Sequence, residues 1–145
     1  MFKSILLPTD GSQLSERATE TAVKFAQLNG AKLVAISVVQ PFPLVPMSEA
    51  VIIPDATVFD KHADEYARNC LDRVAAAAQA VGIPFEGVMA QSATPYEEIV
   101  KAAEQHHCDI IMMASHGRKG LNKLFLGSET QKVLAHTTLP VLVLR

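Results

Sequence analysis

Short apolar runs of buried-strand type alternate with stretches of helical spacing along the whole chain. That alternation restricts the fold more than any single motif does. The strands are read at Phe2 to Leu7, Ala31 to Val39, Phe85 to Ala90, Ile110 to Met113 and Pro140 to Leu144. Runs this short and this continuous in Ile, Leu, Val and Met suit strands covered on both faces. The first intervening helix starts near Ser12, a candidate N-cap, and ends at Asn29-Gly30, with Leu14, Ala18, Ala22, Phe25 and Leu28 on one face. A longer helix spans about Asp55 to Ala80, with Ala63, Ala67, Cys70, Val74, Ala78 and Val81 sharing a face, and Gly82 stops it. Thr94-Pro95-Tyr96-Glu97 reads as a capping box with proline at the first helical position, and Tyr96, Ile99, Val100 and Ala103 form the inner stripe. The last helix runs from Ser128 to about His136, where Ser128 and Gln131 fit an S-x-x-Q box. The order βαβαβαβαβ predicts an α/β fold with a parallel, doubly wound sheet and helices on both faces.

At 145 residues the chain is read as one domain, 1–145, long enough to bury a core. Its hydrophobic content of 49% and net charge of −2 describe a soluble globular protein and argue against a nucleic-acid partner. No apolar run approaches the length of a membrane span, and the opening residues lack a signal-peptide layout. Two cysteines, Cys70 and Cys108, suggest reduced thiols and a cytoplasmic location. The stretch from Gln40 to Ile53 is rich in proline and is expected to be a long loop, a kind that is usually functional.

The chemistry concentrates where the fourth strand ends. Met113-Ala114-Ser115-His116-Gly117-Arg118-Lys119-Gly120 is followed by Leu126-Gly127-Ser128-Glu129-Thr130. Glycines permit a tight path, Arg118 and Lys119 add positive charge, and a helix start presents free N–H groups to an anion. The stretch reads as strand, phosphate-type loop, helix N-terminus; an ordinary strand-to-helix connection would use the same residues. It contains neither a Walker pattern nor the G-x-G-x-x-G fingerprint. Asp10, after the first strand, offers a carboxylate suited to ribose hydroxyls or a metal, although Asp10-Gly11 is also a common turn pair. With strand order 3-2-1-4-5, strands one and four flank the ligand crevice, and Asp10 faces the anion loop. That pairing points to a nucleotide.

Other constellations are weaker. Asp10, Ser115 and His116 lack the G-x-S-x-G elbow of a hydrolase. His106-His107-Cys108-Asp109 places neighbouring residues where zinc sites use separated ligand pairs. Arg118-Lys119 is too small a basic patch for nucleic acid. Neither a catalytic residue nor a metal ligand is assigned, and His62 and His136 are placed on exposed helix faces without a function.

Ile5-Leu6-Leu7-Pro8-Thr9-Asp10-Gly11-Ser12, then Cys108 to Gly117, Leu126-Gly127-Ser128, and Leu139-Pro140-Val141-Leu142-Val143 together resemble the universal stress protein family, in its single-domain, UspA-like form. The resemblance covers essentially the whole chain. The ATP-binding motif of that family, G-x2-G-x9-G-[ST], is matched in spacing by Ala114-x2-Gly117-x9-Gly127-Ser128. The resemblance implies a five-stranded parallel sheet ordered 3-2-1-4-5, Rossmann-like and similar to adenine nucleotide alpha hydrolases. It implies adenine near Pro8, Thr9 and Val38, ribose near Asp10, and phosphates against Gly117, Gly127, Ser128 and Thr130. Met113, Ala114, His116, Arg118 and Glu129 complete the candidate nucleotide-binding set. The chain departs from the family pattern at two of these. Ala114 replaces the first motif glycine, keeping the N–H but adding a methyl group and a bias against positive φ. Glu129 follows Ser128, where an acid suits the helix dipole and repels a phosphate.

The resulting expectation is a cytoplasmic stress-response protein that binds ATP or AMP in a regulatory capacity, with magnesium a candidate companion. It forms a homodimer through the last strand, and it has no membrane or nucleic-acid partner. The rivals are a ligand-free dimeric interaction protein of the same family and a slow nucleotide-hydrolysing or phosphoryl-transfer enzyme.

Overall fold

Strand β1 (Ser4–Pro8) lies in the middle of the sheet, which explains why Ile5, Leu6 and Leu7 are all fully buried. Side chains alternate across a strand, so a run that is apolar at every position needs cover on both sides. The cover comes from α1 (Gln13–Asn29), α2 (Ala56–Ala80), α3 (Pro95–Gln105) and α4 (Ser128–His136). These alternate with β2 (Lys32–Val39), β3 (Phe85–Gln91), β4 (Ile110–Ala114) and β5 (Val141–Leu144). The computed structural model describes residues 1–42, 55–118 and 126–145; most of the proline-rich stretch, and Lys119 and Gly120, lie outside the described residues.

Every strand pair is parallel and the order is β3-β2-β1-β4-β5, as the family resemblance implies. Leu6 stands beside Val34 on one side and Ile111 on the other, and Ile111 beside Val141. Ile5, Leu7, Leu33, Ala35, Ile110, Met112 and Ala114 face α1 and α2, packing on Ala18, Ala22, Val74 and Ala78. Leu6, Val34, Ile36, Ile111 and Met113 face α3 and α4, packing on Ile99, Ala102, Ala103 and Val133. The two layers of core therefore follow directly from the period-2 pattern.

Helix α1 begins as read, with the Ser12 side chain accepting from the Ser15 amide at 3.2 Å. Its buried stripe is Ser15, Ala18, Thr19, Ala22, Val23 and Ala26, and Leu28 is 86% exposed, correcting its expected inward placement. Two residues beyond Ala26 is about 200° of rotation, which turns Leu28 to solvent.

Both expected capping boxes are also corrected. Thr94 makes no side-chain cap bond to the backbone of α3; its hydroxyl donates to Glu97 Oε2 at 2.9 Å. Gly127 rather than Ser128 is the N-cap of α4; Ser128 is the first helical residue and Gln131 Nε2 reaches back to the Leu126 carbonyl at 2.7 Å. The first turn of α3 takes its acceptor from elsewhere: Tyr96 N–H donates to Glu129 Oε2 of α4 at 3.0 Å. Sequence spacing cannot reveal a cap supplied by another helix.

His106, Cys108 and Asp109 go to separate partners. His106 Nδ1 lies 3.1 Å from Glu86 Oε1, Cys108 is buried, and Asp109 accepts from the Lys3 amide at 2.7 Å. Among the described residues, no group of three or more His, Cys, Asp or Glu is placed to hold a metal ion.

Candidate functional site

β1 and β4 are neighbours whose chains leave in opposite directions, toward β2 and toward β5. Their carboxyl ends thus frame the crevice where doubly wound sheets take ligands. From the β1 side come Pro8, the last strand residue, then Thr9, buried, whose amide extends the ladder to the Ile36 carbonyl at 2.9 Å. Val38, near the end of β2, packs at the edge of the α3–α4 side of the core.

Asp10 follows, and its carboxylate joins the two loops. Oδ1 accepts from the Ser12 amide at 3.0 Å, closing its own turn, while Oδ2 accepts from the Arg118 amide at 2.7 Å. The sequence-predicted meeting of Asp10 with the loop after β4 therefore occurs as direct contact. It also sets the demand for glycine at 117: a Cβ there would lie 2.5 Å from Asp10 Oδ2. Gly11 has φ of +74°, the left-handed region that glycine alone enters without strain.

On the β4 side, Met113 and Ala114 end the strand, both buried. Among the described residues the only non-glycine with positive φ is His107, so Ala114 occupies its place without backbone strain. Its methyl group belongs to the core facing α1. Thr130 is 3% exposed, and its hydroxyl lies 3.2 Å from the carbonyl oxygens of both Ala114 and Ser115. That hydroxyl, with the Gly127 amide on the Ser115 carbonyl at 2.8 Å, ties the start of α4 to the end of β4. A Cβ on Gly127 would come within 3.1 Å of the Ser115 carbonyl oxygen and 3.3 Å of His116 Cα, so the approach is close enough to favour glycine.

The helix start so placed has no side-chain cap. The amides of Ser128, Glu129 and Thr130 have no carbonyl one turn back within their own helix, and the dipole there is positive. Beside it, His116 is buried, with Nδ1 3.0 Å from Ser115 Oγ and Nε2 without a hydrogen-bond partner among the described residues. When Ser115 donates to Nδ1, Nε2 carries the proton and is a donor in want of an acceptor.

Glu129, expected to repel an anion, is engaged elsewhere. One carboxylate oxygen caps α3 through Tyr96 and the other takes Lys132 Nζ at 2.9 Å. The Lys132 ammonium is held above its ordinary value, first by that hydrogen bond and then by the Glu129 charge. The acid in the first turn of α4 is thereby paired.

Tyr66 of α2 carried no signal in the sequence reading. Its hydroxyl donates to the Asp10 carbonyl at 2.9 Å, and its ring carries the Arg118 guanidinium 4.5 Å from the centroid. Burial pushes the Tyr66 phenol above its ordinary value, opposed by the nearby Arg118 charge. Its spacing with Cys70 and Arg73 marks one helical face, but only the folded chain shows that this face meets the Asp10 turn.

The model of the universal stress protein family matches residues 1–145. A universal stress protein of Thermus aquaticus, encoded in the QAH/OAS sulfhydrylase 3'region, is 34% identical over 148 residues, spanning 100% of each chain. The solved structure of MJ0577, a universal stress protein of Methanocaldococcus jannaschii, superposes with a TM-score of 0.84 at 30% identity, covering 99% of this chain and 96% of that one. A universal stress protein solved in complex with cAMP shares the fold at 23% identity, with a TM-score of 0.72 and 99% and 97% of the two chains covered. The family match over the whole chain, together with the shared order of strands, leads to one conclusion: this chain belongs to the universal stress protein family.

Proposed function

We infer that the chain binds an adenine nucleotide, ATP or AMP, across the β1–β4 crevice, and that it works as a regulatory module of the cytoplasm rather than as an enzyme. The observation that carries this reading is the uncapped start of α4, with the His116 donor beside it, standing across the strand switch point from Asp10. The helix start and Gly117 offer amides to phosphate, Asp10 offers a carboxylate to ribose, and Pro8, Thr9 and Val38 border the adenine end. Met113, Ala114, Gly127 and Thr130 shape the loop, and Arg118 supplies the cation. A magnesium ion would arrive with the phosphates, Asp10 being the carboxylate available to it. At 23% identity the cAMP-bound relative supports the fold alone, so the nucleotide reading rests on this chain's own residues.

The test is calorimetric titration of the purified chain with ATP, AMP and adenosine at one magnesium concentration, after heat-released nucleotide has been identified. Charge-assisted hydrogen bonds to phosphate contribute about 1.5–3 kcal/mol, so ATP is expected to bind about ten- to a hundred-fold tighter than adenosine. Equal affinities would mean that phosphate is not read. No binding at all would promote the ligand-free interaction protein.

The assembly proposed with this function is a homodimer along β5. β5 is an edge strand, Leu142 on it is 38% exposed and Leu134 of α4 is 42% exposed. An apolar edge with unpaired backbone groups invites a second strand, and antiparallel pairing of two copies closes it with two-fold symmetry. Sedimentation at micromolar concentration is expected to give a dimer, and Leu142→Lys to shift it toward monomer. A wild-type monomer under those conditions would refute the arrangement.

A further inference from the structure

Pro95 at the start of α3 has no N–H, so the first amide of that helix belongs to Tyr96. No carbonyl of its own helix reaches that amide, and its acceptor comes from the neighbouring helix as Glu129 Oε2, at 3.0 Å. The other oxygen of the same carboxylate takes Lys132 Nζ at 2.9 Å, one turn further along α4. Lys132 Nζ also lies 5.5 Å from the centroid of the Tyr96 ring. The Glu129 carboxylate is thus fastened at both oxygens, once to α3 and once to a cation of its own helix.

The position makes this matter. Glu129 is the second residue of α4, inside the turn whose amides and dipole attract an anion. A bare carboxylate there works against a phosphate: like charges about 7 Å apart in water repel enough to cost about three-fold in affinity for each phosphate charge. The Lys132 ammonium cancels that charge at short range and leaves the amides and the dipole as they are. The same pairing holds the ammonium above its ordinary value, so it is charged throughout the neutral range. We propose that Lys132 is a specificity-determining residue of the nucleotide site: it neutralises the acid in the first turn of α4 and thereby lets that helix start read phosphate. This deepens the nucleotide reading and rests on it. The acid serves α3 as its cap, and Lys132 reconciles that service with an anion at the start of α4.

Calorimetry with ATP and with adenosine, at one magnesium concentration, on Lys132→Met, Glu129→Gln and the double variant tests the assignment. Lys132→Met is expected to weaken ATP about three- to five-fold and to leave adenosine unchanged, because the acid is then uncompensated. Glu129→Gln keeps an oxygen for the Tyr96 amide but carries no charge, and it should tighten ATP by a similar factor. The double variant, with neither charge, should return close to the wild type. High salt should shrink all of these differences, since the screening length falls to about 3 Å at 1 M. An unchanged ratio of ATP to adenosine affinity in Lys132→Met would overturn the proposal, because packing moves both ligands together and charge moves only one. No binding of either ligand to the wild type would sink the nucleotide reading itself, and this assignment with it. The joint between the helices is read without any nucleotide, through hydrogen exchange at the Tyr96 amide. That amide should be protected in the wild type and in Glu129→Gln and should lose its protection in Glu129→Ala. Equal exchange in the wild type and Glu129→Ala would show that the carboxylate is not held at α3, and would overturn the placement on which the assignment stands.

Discussion

Gly11→Ala is expected to destabilise the fold by about 2–4 kcal/mol, from a left-handed backbone that alanine resists and from overpacking. Gly11 has φ of +74°, and a Cβ there would lie 2.5 Å from the Tyr66 hydroxyl oxygen, 2.8 Å from Cys70 Sγ and 2.9 Å from Arg73 Nη2. The three do not yield equally. Arg73 has a half-exposed side chain and can swing away, at the expense of its 2.5 Å ion pair with Glu16. Tyr66 can move only by giving up its bond to the Asp10 carbonyl. Cys70 is 1% exposed and has nowhere to go. Gly82→Ala is the control, because φ is +72° there but nothing lies within 4 Å of the added Cβ. It should show only the backbone part, about 1–2 kcal/mol. Urea unfolding of both variants decides the matter through the midpoint at constant slope. Equal losses would show that the space around Gly11 is not what requires glycine.

Asp10→Ala should weaken ATP binding about ten- to a hundred-fold, the value of one or two charge-assisted hydrogen bonds to ribose. It should also cost about 1 kcal/mol of stability, because the amides of Ser12 and Arg118 lose their acceptor. Both amides sit in part-exposed or exposed surroundings, so water compensates much of the loss and the chain still folds. Asp10→Asn keeps one side-chain oxygen and should fall between the two proteins on both measures. Calorimetry beside urea unfolding tells binding from folding. A stability loss with unchanged affinity would reduce Asp10 to a turn residue and remove it from the ligand site.

The site was half legible in the residues. Asp10 and the Ser115-His116-Gly117 loop could be paired once a strand order was assumed, because a parallel sheet sends both loops to the same edge. What the pairing could not show is its distance. The Asp10 carboxylate bonds the Arg118 amide directly, at 2.7 Å. The partners of Glu129 were hidden for a related reason: it follows Ser128 in sequence, but in space it bonds the Tyr96 amide and Lys132. Ala114 stands where the family motif has its first glycine, and that its methyl group packs in the core facing α1 is visible only in the fold.

Alternating apolar runs and helical stripes are local, repeated signals, and each burial requirement acts on many residues at once. The sequence by itself therefore determined the elements, their order, the parallel α/β class and the two faces of the core. Contacts between single side chains of distant elements have no such redundancy. The cap that α4 lends to α3, the outward turn of Leu28 and the seat that Tyr66 gives Arg118 each depend on one rotation or one approach. Only the tertiary structure decided those, because helix phase and loop path are set by packing against the sheet and leave no periodic trace in the chain.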